Sequence, residues 1–279
     1  MRACRALLPD AFPAIGRLPE MMVARAEGQV VGAVATAWVA GGFPLLLHVV
    51  EPFRRRGVGS ALLAAAAADA AGETAALRSW NLVEEDSAAA AFLEAAGFRR
   101  TQPFLFFEST ATPALDFGRH MSRLKARLAP RIPATVRRLP LADAPAPGVI
   151  GLLTRVFGAM PHHVAARLHH ETRNSYDPKL SLVLLDGDEV IGAMLCRRID
   201  DVLEVDVNAV APAYRGGWSN LMLLEGIALG GLAAGYGRFR FGCEPHVHDT
   251  INLATRTGSR ALPTRYMMVR HVSAAPPSP

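Results

Sequence analysis

The chain has 279 residues, of which 51% are hydrophobic and 20% charged; that is enough for roughly two domains and too apolar for a disordered or collagen-like polymer. Its net charge of +5 is almost all arginine, because Lys125 and Lys179 are the only lysines, so the basic balance points only weakly to a phosphate-bearing partner and more weakly still to nucleic acid. Three scattered cysteines, Cys4, Cys196 and Cys243, exclude a disulfide framework and a CxxC zinc site and fit a cytoplasmic protein.

Along the chain, the first apolar stretch stops at Pro9-Asp10, too short for a signal peptide. Met21–Ala26 and Val30–Val39 read as strands joined at Glu27-Gly28-Gln29, and Leu45–Val50 as a third. Val30 to Val50 carries no formal charge, but Gly41-Gly42 and Pro44 interrupt it, so two buried strands explain it better than a membrane span. An alanine-rich helix is expected from Gly59 to Ala71, stopped by Gly72. Leu77–Val83 reads as a strand, and Ser87–Ala96 as a helix capped by Asp86 or Ser87 and ended by Gly97. Phe104–Glu108 is a further strand.

From Thr110 to Pro133, Arg119, Arg123, Lys125 and Arg127 alternate with Met121, Leu124 and Leu128 at helical spacing. A solvated helix packed along one side of a domain accounts for that pattern, and no RNA- or DNA-binding signature accompanies it. Val136–Leu141 then reads as a strand, Pro147–Phe157 and His162–Thr172 as helices, and Leu182–Leu185 with Val190–Arg197 as a strand pair. A strand at Leu203–Val210, a helix at Ser219–Ala233, a strand at Phe239–Cys243, a short helix at Thr250–Thr257 and a last strand at Tyr266–His271 complete the series. The order hairpin, strand, Arg-Gly loop, helix, strand, helix occurs twice, which implies two copies of one fold. The expected division is an N-terminal domain over 1–110, a linker helix over 111–133 and a C-terminal domain over 134–279.

The most informative segment is Val49-Val50-Glu51-Pro52-Phe53-Arg54-Arg55-Arg56-Gly57-Val58-Gly59-Ser60, between a strand and a helix. Glycines there let backbone N–H groups face an anion, and a helix N-terminus adds partial positive charge, which suits a diphosphate. The spacing is neither a P-loop nor a dinucleotide fingerprint. It resembles the acyl-CoA loop of the GNAT superfamily of N-acetyltransferases, with Phe53, Arg54, Gly57 and Gly59 at matching positions. The second half offers Val210-Ala211-Pro212-Ala213-Tyr214-Arg215-Gly216-Gly217-Trp218-Ser219-Asn220. Its Val-x-Pro-x-Tyr-Arg matches, while its glycines match only with one residue deleted, so that Gly217 and Ser219 serve.

The resemblance implies an α/β (α+β) fold: two tandem GNAT-like domains, each a mixed, mostly antiparallel sheet flanked by helices. It implies acetyl-CoA as acyl donor, bound through Val49, Val50, Arg54, Arg55, Arg56, Gly57, Val58, Gly59 and Ser60, or through Val210, Arg215, Gly216, Gly217 and Ser219. It implies an amine acceptor, of a small molecule or a protein, and no metal. The tyrosine that often protonates the thiolate in this superfamily falls on Leu93 and on Ala254, so both halves lack it. An amine of pKa ~10.4 is only about 10⁻³ neutral at pH 7, a penalty of roughly 4–5 kcal/mol on nucleophilic attack that calls for a proton acceptor. Glu204, Asp206 and Asn208 alternate along one strand and are expected on one face; Glu204 and Asp206 are the candidate acceptors, with His248 as a proton shuttle. The first half has no carboxylate on its equivalent strand, and only Leu8–Pro19 precedes its first clear strand, where the superfamily places two acceptor-site helices. Domain one is therefore expected to hold CoA better and domain two the acceptor. The rival expectation is a CoA-binding regulatory or structural protein without catalysis. No membrane or nucleic-acid partner is expected, and a homodimer is compatible with the sequence.

Overall fold

The computed structural model describes residues 20–36, 43–70, 76–159, 161–169, 175–215 and 217–272. The chain forms two compact units, one of residues 1–104 with 263–279 and one of residues 105–262.

The first unit begins with β1 (Glu20–Ala26) and β2 (Gln29–Thr36), an antiparallel hairpin closed by Glu27 and Gly28 at φ 49° and 77°. Both central residues at positive φ make the tight turn whose twist matches the strands. β3 (Phe43–Val49) follows on β2. The formerly ambiguous stretch is thus strand at both ends, and its Gly41-Gly42 turn lies outside the described residues. Helix α1 (Val58–Ala70) buries Leu62, Leu63, Ala66 and Ala67 on this sheet. It crosses over to β4 (Ala76–Ser79), which lies parallel to β3, since parallel neighbours need such a connection. The expected strand Leu77–Val83 is two pieces, β4 and a separate β5 (Val83–Glu84). Helix α2 (Ala88–Ala95) starts where Ser87 Oγ accepts the Ala90 N–H at 3.1 Å, and stops at Gly97, φ 85°, as its cap residues require.

β6 (Arg99–Thr110) is longer than expected. Its residues 99–104 pair in the first unit and its residues 105–110 in the second. The second unit continues with α3 (Ala111–Leu128), β7 (Val136–Pro140), α4 (Ala146–Phe157), α5 (Pro161–Leu168), β8 (Leu182–Asp186), β9 (Glu189–Ile199) and β10 (Val202–Val210). It ends with α6 (Trp218–Ala233), β11 (Arg238–Cys243), α7 (His248–Arg256) and β12 (Arg260–Ala261). The strand order is β7-β8-β9-β10-β11-β6, antiparallel except for β10 and β11. Val149, Leu152, Leu153 and Val164 of α4 and α5 pack on one face. Leu223 and Ile227 of α6 pack on the other with Leu203 and Met194. At Gly231 a Cβ would stand 2.6 Å from Phe239 and 2.8 Å from Leu203, so glycine there lets α6 lie directly on β10 and β11.

The chain's last strand, β13 (Arg265–His271), joins the first unit, between β4 and the first half of β6. Residues 263–279 therefore group with the first unit rather than with the rest of the expected domain 134–279, and helix α3 groups with the second. Strand periodicity marks β13 as a strand, but only the unpaired edges of β4 and β6 determine where it docks.

Helix α3 packs along α6, where Gly118 leaves room for Leu229. Its cationic pattern is partly internal: the buried Glu225 of α6 accepts from Ser122 at 2.7 Å, Lys125 at 2.5 Å and Arg138 at 2.8 Å. Glu225→Gln is expected to cost about 2 kcal/mol, below the ~3–5 kcal/mol of a wholly buried pair because both cations are about a third exposed. A denaturant midpoint unchanged in that variant would show that the cluster does not tie α3 to α6.

Candidate active site

In each unit the parallel strands pair over only part of their length. β3 and β4 pair from Phe43–Leu77 to Leu45–Ser79, closed by Trp80 N–H on Leu45 O; β10 and β11 pair from Val202–Arg238 to Val205–Phe241. Beyond these points Leu46–Val49 and Asp206–Val210 run on alone, leaving backbone groups on one edge of each strand for something other than the sheet.

The loops after β3 and β10 fold alike. Each turns through a short 3-10 segment, Glu51–Phe53 or Pro212–Tyr214, and each arginine bonds back to its strand: Arg54 Nε to Val49 O and Arg215 Nε to Val210 O, both 3.0 Å. These two arginines therefore brace the loop, in addition to any charge they lend it. Arg55 at φ 62° and Gly57 at φ 78° complete the first turn. α1 begins directly after Gly57 and α6 directly after Gly217, so the second loop is one residue shorter. Gly217 then corresponds to Gly57 and Ser219 to Gly59, while Trp218 occupies the first helical position beside Tyr214 instead of blocking the turn. Gly216 lies outside the described residues. Neither helix carries an acidic residue in its first turn, and Gly217 makes no side-chain cap; N–H groups of Val58, Gly59 and Ser60, and of Trp218, Ser219 and Asn220, are the orphan donors an anion would take.

Glu204, Asp206 and Asn208 do not share a face. The register of β10 on β9 shifts between Val205 and Val207, which makes Asp206 a bulge residue. Glu204 stands opposite Arg197 and Val207 opposite Leu195, whereas Val205 and Asn208 stand opposite Cys196 and Met194. One extra residue reverses the alternation. The three carboxylate and amide side chains thus divide: Glu204 lies on the α5 side, Asn208 on the α6 side, and Asp206 at the parting of the strands. Glu204 is 2% exposed and its two oxygens are engaged by Arg197 and Arg240. Asp206 is held by Arg167 at 2.7 Å and Arg197 at 3.5 Å and also borders the cleft described below. His248 is exposed at the first residue of α7; its neighbour Asp249 lines the groove instead.

A groove of about 760 Å³ runs between α6 and α7, with α3 as its third wall. Asn220 in the first turn of α6, Thr250 and Leu253 of α7, and His120 and Met121 of α3 line it. It meets a second, largely apolar cavity of about 110 Å³ at Phe117, Asn208, Leu224 and Leu253, and that cavity reaches Val205, Asp206 and Gly242 at the strand parting. Among the described residues of the first unit, an aromatic ring stands at the corresponding place. Phe92 of α2 approaches so near α1 that a Cβ on Gly59 would meet its ring at 3.3 Å. Gly97 and Gly258, which end α2 and α7, make Phe92 the counterpart of Leu253: the one lies against Gly59, the other lines the groove. The first unit also lacks the bulge: counted back from Val49 and Val210, Leu45 corresponds to Val205 and Pro44 to Glu204, leaving Asp206 without a counterpart.

On the far face from α6, charges alternate from Arg167 through Asp206, Arg197, Glu204, Arg240 and Glu108 to Arg238 and Arg260. Burial pushes the Glu108 carboxyl up, but hydrogen bonds from Arg238, Arg240 and Arg260 outweigh it and hold the pKa below 4.5. Glu225, through Lys125, Ser122 and Arg138, and Asp177, through the Leu180 and Lys179 N–H groups and Arg198, are likewise lowered against burial. A carboxyl lowered by folding stabilises fully above its unfolded value and loses that contribution as pH falls through its folded value. The urea midpoint is thus expected to be insensitive to these groups above about pH 5 and to fall below about pH 4.5. In Glu108→Gln the acid loss should be smaller; an identical profile would show that the network is not its source.

Arg167 stacks over the Tyr176 ring at 4.0 Å, and burial holds the Tyr176 hydroxyl far above its usual range, fully protonated. His163, drawn down to about 4 by burial and by His162 and Arg167, is neutral at pH 7. Burial also raises Cys196 and Cys243, so neither supplies a thiolate nucleophile at neutral pH. Among the described residues no three His, Cys, Asp or Glu side chains converge as a metal site, and no helix is long and apolar enough to cross a membrane.

Residues 18–100 match the family model described as an acetyltransferase (GNAT) domain. The whole chain superposes on a tandem GNAT protein from the clavulanic acid biosynthesis pathway, TM-score 0.61 at 19% identity, covering 94% of this chain and 86% of that one. Residues 18–100 thus carry a GNAT domain match, and the chain as a whole has the fold of a tandem GNAT protein. A GCN5-related N-acetyltransferase from Sphaerobacter thermophilus gives TM-score 0.56 at 14% identity, over 91% and 81% of the two chains. A glucosamine N-acetyltransferase region of a fungal multi-domain β-N-acetylglucosaminidase gives 0.62 at 18%, over 94% of this chain and 34% of that one. At such identities the likeness is one of fold. No curated protein matches the chain. Acyl transfer is the general chemistry of this GNAT superfamily. Arg167, Tyr176 and Phe92 carry no local motif and escape sequence reading; only the register shift and the helix packing bring them to the two sites.

Proposed function

We propose that this chain is an acyl-CoA-dependent N-acyltransferase whose working site is in the second unit, between β10, β11, α6 and α7. The observation that carries the reading is the coincidence, in that unit, of a strand parting, a bulged aspartate at the parting and an open groove leading to an uncapped helix N-terminus. The groove fits a CoA-type donor: a diphosphate would lie at the N–H groups of Trp218 to Asn220, and a pantetheine arm along Leu224 and Leu253 toward Val205. Such a donor supplies an activated thioester; from an ammonium acceptor the reaction class forms a C–N bond, breaks the C–S bond, gives one proton to a base and a second to the leaving thiolate, directly or through water.

The chain's own residues then do three things. The lone edge of β10 beyond Val205 offers backbone groups that orient the donor. Asp206, less buried than Glu204, exchanges its contact with Arg167 for the acceptor amine and takes its proton, directly or through water. Glu204 keeps Arg197 and Arg240 in place and does not reach the amine. The acceptor is an amine of a small molecule or a protein. The first unit, with Pro44 in place of Glu204 and Phe92 against Gly59, serves as a supporting half.

The test is calorimetry with CoA and acetyl-CoA, followed by thiol release against a panel of amines. Leu253→Trp, which fills the groove, is expected to weaken CoA binding by more than tenfold and remove amine-dependent thiol release. No CoA binding, or binding that survives Leu253→Trp, would overturn the assignment to the second unit.

A further inference from the structure

The inner cavity extends past the place where the donor's thioester would sit. The strands part after Val205 and Phe241, yet the cavity continues to Phe239, which pairs with Leu203 inside the bonded part of the sheet. Its deep wall is Met194, Phe239, Ile227, Ala228 and Ala114, from β9, β11, α6 and α3. Two of the lining hydroxyls are engaged, Thr257 Oγ1 with Leu253 O at 2.9 Å and Ser259 Oγ at 2.7 Å, and Ser109 Oγ 3.5 Å from Thr110 O; Thr250 and Asn208 border the outer groove and Asp206 the strand parting. The apolar deep wall does not hold water well, because a buried water needs two to four polar partners. The α3 helix closes this cavity, and α3 comes from the segment joining the two halves rather than from the repeated elements.

Resting on the function proposed above, we infer that this cavity is an acyl-chain site and that the donor carries a short apolar acyl group, butyryl to hexanoyl, in preference to acetyl. At about 110 Å³ the cavity is somewhat smaller than the ~150 Å³ apolar cavity that accepts benzene, which sets the capacity at about four carbons beyond the carbonyl. An acetyl group would leave most of it empty. Each methylene added up to that length is expected to tighten binding about fourfold, the equivalent of ~0.8 kcal/mol per buried CH₂.

The experiment is calorimetric binding of acetyl-, butyryl-, hexanoyl-, octanoyl- and decanoyl-CoA to the full chain. Affinity is expected to rise at least tenfold from acetyl to the optimum and to fall again at decanoyl. Ala114→Leu, which fills the deep end, should cut the hexanoyl-to-acetyl ratio by about tenfold. Ile227→Ala, which enlarges it, should move the optimum toward octanoyl, so one variant failing to fold leaves the other as the test. Equal affinity for every chain length, with CoA itself bound and Leu253→Trp abolishing that binding, would overturn the acyl-chain site and leave the donor groove standing. Absence of binding by CoA and by every acyl-CoA would overturn the proposed function and this inference with it.

Discussion

A chain ending at Leu262 is expected to lose the native fold of residues 20–104. That cut removes β13, which pairs with β4 at Val269–Arg78, Arg270–Leu77 and His271–Ala76 and with β6 from Arg265–Phe104 to Val269–Arg99. It also removes the Met268 N–H on Ser79 Oγ, 3.0 Å, and the Met268 side chain, 1% exposed in the first unit's core. Loss of a buried methionine alone costs about 2–5 kcal/mol. Two interior strand edges become unpaired as well, and a domain's whole stability is only about 5–15 kcal/mol. A chain ending at Val272 keeps every one of these pairings and is the control. Limited proteolysis should cut the shorter chain within residues 20–104 while the control resists. Equal resistance of the two would show that β13 is dispensable to the first unit.

This strand marks a boundary of what the sequence can reveal. Element types are legible where local chemistry is strong: Ser87 and Gly97 delimit α2, Glu27-Gly28 closes a hairpin, and the apolar runs at β2, β3, β8 and β9 are strands. The duplication is legible too, because the Arg-Gly loops fold on local bonds, Arg54 to Val49 and Arg215 to Val210. Pairing over a long sequence separation is not local. Nothing in residues 265–271 states that their partners are residues 76–78 and 99–104. The bulge at Asp206 is equally silent, since Val-Asp-Val-Asn reads as plain alternation and only the partner strand's register makes Asp206 the extra residue. Phe92 against Gly59 shows why an intact motif does not by itself report an open groove: the glycine that admits a ligand's phosphate also admits a neighbouring ring.

The two carboxylates of β10 are expected to separate on substitution, and by different measurements. Asp206→Asn should lower turnover by about 10² to 10⁴, the range of general-base contributions, while changing stability by no more than ~1 kcal/mol, because its ion pairs are partly exposed. Its turnover should recover toward that of the parent as pH rises, since an amine of pKa ~10.4 gains about tenfold in its neutral form per pH unit near neutrality. Glu204→Gln should instead cost about 3 kcal/mol of stability, for it leaves Arg197 and Arg240 without their shared buried anion. Its pH–rate profile should keep the parent's shape. The measurements are denaturant midpoints for both variants and steady-state turnover from pH 6 to 9 with the best amine of the panel. A pH-recoverable loss in Glu204→Gln, with Asp206→Asn at parental rate, would move the proton acceptor to Glu204. That would require Glu204 to release an arginine on binding the acceptor. Parental turnover in both variants would remove the carboxylates from the chemistry and leave water as the amine's proton acceptor.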